Sequence, residues 1–108
     1  MNEILVLTTV GSAELAGTIA RELVEGRLAA CVNILPGVRS IYRWQGSVCD
    51  EAELLLIIKS AGEHFEKVRA KVRALHSYEL PEIIAVDITH GDAAYLDWLR
   101  AQVAEPRS

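Results

Sequence analysis

The chain has 108 residues, 51% of them hydrophobic and 24% charged, with a formal net charge of −4. That length and balance describe one ordered domain over residues 1–108, able to bury a core without disulfides or a structural metal. The basic residues are scattered, where a phosphate-binding surface needs clustered Lys and Arg, and the longest apolar run, Leu54 to Ile58, is far too short to span a bilayer. Nucleic acid and membrane are therefore not expected as partners.

Met1-Asn2-Glu3 lacks the basic region of a signal peptide, so a cytoplasmic location is expected. Cys31 and Cys49 are expected to stay reduced there. Ile4 to Thr9 is short, β-prone and apolar on both faces, as a central buried strand would be. Gly11-Ser12 breaks it. Ser12 is a good N-cap, and the helix that follows puts Leu15, Ala16, Ile19, Ala20, Leu23 and Val24 on one face. Gly26 is the expected stop.

The stretch from Cys31 to Ser60 comes next, two extended runs meeting at Gln45-Gly46. A two-residue connection carrying Gly signals a tight hairpin, because Gly supplies the positive φ such turns need. Arms of about 13 residues reach about 43 Å, too long for a small domain to cover alone, so the tip is expected to belong to an interface. Pro36-Gly37 interrupts the first arm and predicts a bulge or bend. With Gln45-Gly46 as the turn, Trp44 faces Ser47, Tyr42 faces Cys49 and Ile41 faces Asp50. Trp44 and Tyr42 then share a face with Cys49, Glu51 and Glu53, while Arg39 and Arg43 flank Asp50 diagonally on the other.

Glu63 to Leu75 reads as a second amphipathic helix with Phe65, Val68, Val72 and Leu75 on its apolar stripe. A loop, His76 to Glu82, leads into a fourth strand from Ile83 to Thr89. Asp92 is the N-cap of a last helix carrying Tyr95, Leu96, Trp98 and Leu99, and the tail beyond Ala104 is expected to fray. The order β-α-β-β-α-β-α predicts an α+β ferredoxin-like sandwich with a long β2-β3 hairpin. One helical layer leaves the second sheet face to be covered by association between subunits.

Chemistry is thinly marked. There is no CxxC, no HExxH, no calcium loop and no pair of histidines at helical spacing. No Ser or Cys stands in a nucleophile motif. Polar residues set among apolar ones are more informative. Glu53 and Lys59 lie on one strand, and Tyr78, Glu82, His90 and Asp92 lie in loops at strand ends. Gathered at a subunit boundary they form either a small-molecule pocket or a set of interface ion pairs and hydrogen bonds.

Several separate motifs resemble one family. Ala29 to Gly37, Ser40 to Gly46, Glu53 and Lys59, then His76, Tyr78, Pro81-Glu82-Ile83-Ile84 and the Tyr95-Leu96-Trp98 helix are similar to the CutA divalent-cation tolerance proteins. The match runs from about Leu5 to Leu99. The resemblance implies a tight homotrimer, related in architecture to the PII signalling proteins, with each hairpin reaching onto a neighbour. It implies binding of divalent metal ions such as copper, Cu2+, with no established enzymatic activity. Trp44, Glu53, Lys59, Tyr78 and Glu82 are the candidates for an inter-subunit cleft, and His76 is the single metal candidate. The Cys/His/His copper pattern of some members is incomplete: Thr8 or Thr9 takes the Cys position, and Leu75 takes one of two histidine positions. Three other readings are a PII-like small-molecule sensor, an enzyme using Lys59 and Tyr78 on an anionic substrate, and a trimeric scaffold.

Overall fold

The computed structural model describes residues 2–104; the tail expected to fray lies outside that range. Four strands and three helices follow the expected order: β1 (Glu3–Val10), α1 (Ala13–Glu25), β2 (Cys31–Trp44), β3 (Ser47–Ala61), α2 (Phe65–Leu75), β4 (Ile84–Asp87) and α3 (Ala93–Val103). One antiparallel sheet runs β2-β3-β1-β4. This is the ferredoxin-like arrangement.

Local chemistry sets each boundary. Ser12 stops β1 and caps α1, its Oγ accepting from the Leu15 N–H at 3.2 Å. Asp92 does the same for α3, accepting from the Tyr95 N–H at 3.2 Å. Gly26 ends α1 with φ −80°, an ordinary value; the left-handed residue is the next one, Arg27, at φ 59°. A non-glycine residue tolerates that conformation only where something holds it. Here the guanidinium donates to Ala101 O at 3.0 Å and Ala104 O at 3.1 Å, capping the end of α3. The second helix begins two residues later than periodicity predicts, because Gly62–His64 wind as a 3-10 turn first.

The hairpin has the register expected from its turn. Gln45 and Gly46 both take positive φ, 49° and 81°, as a type I′ turn requires. Trp44 pairs with Ser47, Tyr42 with Cys49 and Ile41 with Asp50, and the ladder shifts between Leu35 and Val38, where Gly37 has φ 79°. Arg39 reaches diagonally to Asp50 through two bonds of 2.8 and 2.6 Å. The long arms draw the molecule out to 48 × 29 × 21 Å.

The sheet has two unlike faces. Ile4, Val6 and Val10 of β1 and Leu56 and Ile58 of β3 pack against Ala16, Ile19 and Leu23 of α1 and Val68 and Val72 of α2. On the opposite face α3 covers only one end: Lys59 Nζ donates to Tyr95 Oη at 3.4 Å, and Arg100 bonds Glu3 at 3.0 Å and Glu63 at 2.9 Å. The rest is an apolar field. Cross-strand pairing sets Val86 beside Leu5, Ile84 beside Leu7, Leu7 beside Ile57, and Leu55 beside Leu35. Ile84 and Val86 are 50% and 47% exposed. The expectation of a first strand buried on both faces is therefore met on one face only within a single chain, with β1 alternating buried and half-buried. The fourth strand is also shorter than expected. Only Ile84–Asp87 has a ladder partner, and past it a single bond, Ile88 N–H to Glu3 O at 2.9 Å, continues toward β1.

One core position is imperfect. Thr8 is fully buried opposite Leu56, and its Oγ1 has no hydrogen-bond partner among the described residues. A buried unsatisfied hydroxyl costs roughly 1–3 kcal/mol, so Thr8→Val, of nearly the same shape, is expected to stabilise the fold by about 1 kcal/mol or more. Denaturant unfolding at fixed protein concentration measures it; an unchanged or lowered midpoint would show that the hydroxyl has a partner in the assembled protein.

Candidate functional site

At the base of the hairpin, where β3 leaves the body of the sheet, lies a cleft of about 700 Å³. One wall is the β2-β3 face bearing Tyr42, Trp44 and Glu53, and the other is the loop after α2, with Ser77, Tyr78, Glu79, Leu80 and Glu82. The loop is tied down at its start. His76 ends α2, its N–H donating to Val72 O at 2.9 Å. Its ring then bridges two segments: Nε2 donates to Thr9 O at 2.8 Å, and Nδ1 accepts from the Tyr78 N–H at 3.1 Å. A carbonyl only accepts and an amide N–H only donates, so these two bonds select the neutral tautomer protonated on Nε2.

Tyr78 is the keystone of the cleft. Its ring packs on His76 with centroids 4.6 Å apart, and its hydroxyl donates to Glu53 Oε2 at 2.7 Å. The phenol passes over Gly11, where an added Cβ would come within 3.2 Å of Tyr78 Oη. Any larger residue at Gly11 presses on the hydroxyl that reaches Glu53. Burial, reinforced by the Glu53 carboxylate, pushes the Tyr78 pKa far above the ordinary tyrosine range. The phenol therefore donates to Glu53 at neutral pH. Tyr42 repeats the device in a more open position, bonding Glu51 at 3.2 Å, with its pKa raised by desolvation and by that carboxylate.

Four of the five cleft candidates from the sequence, Trp44, Glu53, Tyr78 and Glu82, line this one cavity within a single chain. Lys59 does not. It stands six residues beyond Glu53 on β3, about 20 Å away at strand rise, beside Cys31 and under Tyr95. The pairing of Lys59 with Tyr78 that an anionic substrate would need is not made within one chain. His76, the metal candidate, stands behind Tyr78 with both ring nitrogens already engaged. Among the described residues no group of three or more His, Cys, Asp or Glu side chains is gathered to hold a metal ion. Cys31 and Cys49 are both free and half-buried. One further member, Tyr42, was visible in the hairpin register, which puts it on the face of Trp44 and Glu53. Glu79 and Leu80 carry no such signal, because a loop has no period.

Comparison with known proteins places this arrangement. The model of the CutA1 divalent ion tolerance protein family matches residues 4–102. The chain belongs to the CutA1 family. It is 57% identical over 98 residues to the divalent-cation tolerance protein CutA of Thermus thermophilus, covering 91% of this chain and 95% of that one. A solved structure of a divalent cation tolerance protein from Thermus thermophilus superposes with a TM-score of 0.92 at 55% identity, over 94% of this chain and 99% of that one. The chain is 44% identical to the chloroplastic CutA of Arabidopsis thaliana over 90% of its own length but only 53% of that protein's. A CutA structure from Archaeoglobus fulgidus, described as periplasmic, matches with TM-score 0.92 at 39% identity, over 94% of this chain and 99% of that one. Members thus occupy different compartments, and in this chain no helix among the described residues is long and apolar enough to cross a membrane.

Because Tyr78 is protonated in the fold well past the point where an unfolded tyrosine ionises, folding binds that proton more tightly than unfolding does. Its contribution is complete below about pH 10, the unfolded tyrosine value, and declines as pH rises from there toward the folded pKa. Spectrophotometric titration should accordingly show the Tyr78 phenol contributing nothing to the absorbance rise near pH 10. The difference between wild type and Tyr78→Phe isolates it: equal absorbance rises up to the onset of unfolding are expected, and a larger wild-type rise near pH 10 would remove the bond to Glu53.

Proposed function

We propose that this chain acts as a cytoplasmic homotrimer in divalent-cation tolerance, binding cations in clefts at the base of its hairpins. The observation that carries the reading is the sign of the cleft. Its lining includes Glu53, Glu79 and Glu82 and no Lys, Arg or His among the described residues. Such a cavity concentrates positive ions and repels phosphates and carboxylates. The role is one of binding, and no residue is assigned a catalytic step.

The trimer is supported by the half-open sheet. The apolar field of Leu35, Leu55, Ile57, Ile84 and Val86, together with exposed Ile41 and Val48 at the hairpin tip, is a surface a monomer would leave in water. A second copy supplies the matching apolar area, and the family resemblance supplies the stoichiometry. Light scattering at low micromolar concentration should give three times the 11.9 kDa chain mass. A monomer would overturn the assembly, and with it any site shared between chains.

A copper site fits this chain only with donors from more than one copy. Bound Cu2+ would bring Lewis-acid and redox-active d-electron chemistry, which in a tolerance role serves retention rather than turnover. For His76 to ligate through Nδ1, the ring must give up the Tyr78 N–H. Calorimetry with Cu(II) is therefore expected to show weak binding, lost in His76→Ala. A micromolar or tighter site indifferent to that change would reject His76 as the ligand. A PII-like small-molecule sensor is the second reading, favoured by the size of the cleft: about 700 Å³ is far more room than a bare ion fills.

A further inference from the structure

The charge of the cleft is unbalanced at its most buried point. Glu53 is 7% exposed, and its hydrogen bond is to a neutral phenol. Among the described residues no Lys, Arg or His side chain pairs with it; the ion pairs formed lie elsewhere, at Arg39–Asp50, Arg69–Glu66, Lys71–Glu22 and Arg100 with Glu3 and Glu63. A carboxylate withdrawn from water without an opposite charge is costly, so a positive group entering the cleft would be stabilised against it.

The walls say what kind of cation fits. Tyr42 and Trp44 project from the same face of β2 and line the cleft, 41% and 38% exposed in the single chain. Tyr78 closes the opposite side, its hydroxyl fixed on Glu53. Aromatic faces attract cations through the negative face of the ring, most effectively those that are weakly hydrated and carry carbon-bound hydrogens against it. A divalent metal ion has the reverse needs: it is strongly hydrated and asks for several oxygen, nitrogen or sulfur donors converging at about 2.0–2.6 Å. No such convergence exists among the described residues.

We infer that the hairpin cleft takes a small organic cation, an alkylammonium group whose charge meets Glu53 while its alkyl surface rests on Tyr42, Trp44 and Tyr78. The inference deepens the reading of this cleft as the cation site and rests on it. The metal of the family's name and the ligand of this cleft are then different species. Glu79 and Glu82, exposed members of the lining, disfavour a polyphosphate or nucleotide. A basic side chain from a neighbouring copy is the competing occupant, and it would leave no room for a free ligand.

The test uses the full-length assembled protein and two probes of the same shape: choline, and its uncharged isostere 3,3-dimethylbutan-1-ol. Calorimetry at low salt should show choline binding at least about tenfold more tightly than the alcohol, with the difference shrinking as salt is raised. Glu53→Gln keeps an acceptor for the Tyr78 hydroxyl and removes only the charge. It should cost choline about tenfold in affinity while leaving the alcohol unaffected, and Trp44→Leu should weaken choline by a similar factor. Melting curves of both variants verify that the fold persists. No choline binding, or equal binding of both probes, overturns the inference. If Mn(II) or Cu(II) then binds in a Glu53-dependent manner, the cleft remains a cation site for metal alone. If neither choline nor metal depends on Glu53, the reading of the cleft as a cation site falls too.

Discussion

The turn at Gln45-Gly46 sets the cross-strand pairs of the hairpin from Trp44–Ser47 back to Val38–Glu53. Side chains alternate faces along a strand, so a one-residue slip in a hairpin exchanges its two surfaces completely. In the observed register the aromatic and carboxylate residues lie together, Tyr42 and Trp44 with Glu51 and Glu53, and the Arg39–Asp50 pair lies on the other side. The bulge at Pro36-Gly37 lets the body of the sheet and the projecting tip keep separate geometries on one continuous ladder. The cleft exists because the same strand that pairs with β1 in the core carries Glu53 past the last β1 residue, out to meet the loop after α2.

That loop is tied to β1 and to β3 by hydrogen bonds. His76 links the β1 carbonyl of Thr9 to the Tyr78 amide, and Tyr78 links the loop to Glu53. The chain β1–His76–Tyr78–Glu53–β3 ties the two walls together at one point through polar contacts and so fixes their spacing on either side of it. The same reasoning gives Gly11 its role, since the phenol has to cross that backbone to reach β3.

Much of the fold was legible in the chain. Ser12 and Asp92 announce their helices, Gln45-Gly46 its turn, and Pro36-Gly37 its bulge, because each of these residues acts on the backbone within a few positions of itself. The register, and with it the company of Trp44, Tyr42, Glu51 and Glu53, follows from that local turn. Long-range placements were less visible. Nothing near Arg27 in sequence says that its guanidinium will cap a helix end 74 and 77 residues away. Lys59 was a candidate for a cleft shared between chains, and within one chain distance along the strand keeps it from Glu53. His76 was the metal candidate because the resemblance puts it at one of two histidine positions; within one chain its Nδ1 accepts from the Tyr78 N–H.

The separation of Lys59 from Glu53 bears on how assembly and binding are related. Lys59 lies at the end of β3 that α3 covers, beside Tyr95, within the face that a neighbouring copy would meet. Glu53 lies further toward the hairpin tip, where the strand departs from the body of the sheet. The strand between them carries Leu55 and Ile57, both half-buried, on that same face. Covering this apolar middle buries two residues of a stiff strand, flanked by a carboxylate on one side and an ammonium on the other. The bulge at Pro36-Gly37 falls between the pairs Leu55–Leu35 and Glu53–Val38, so the apolar middle that a neighbour would cover and the carboxylate of the cleft stand on opposite sides of the break in the ladder, where the strand can bend between them.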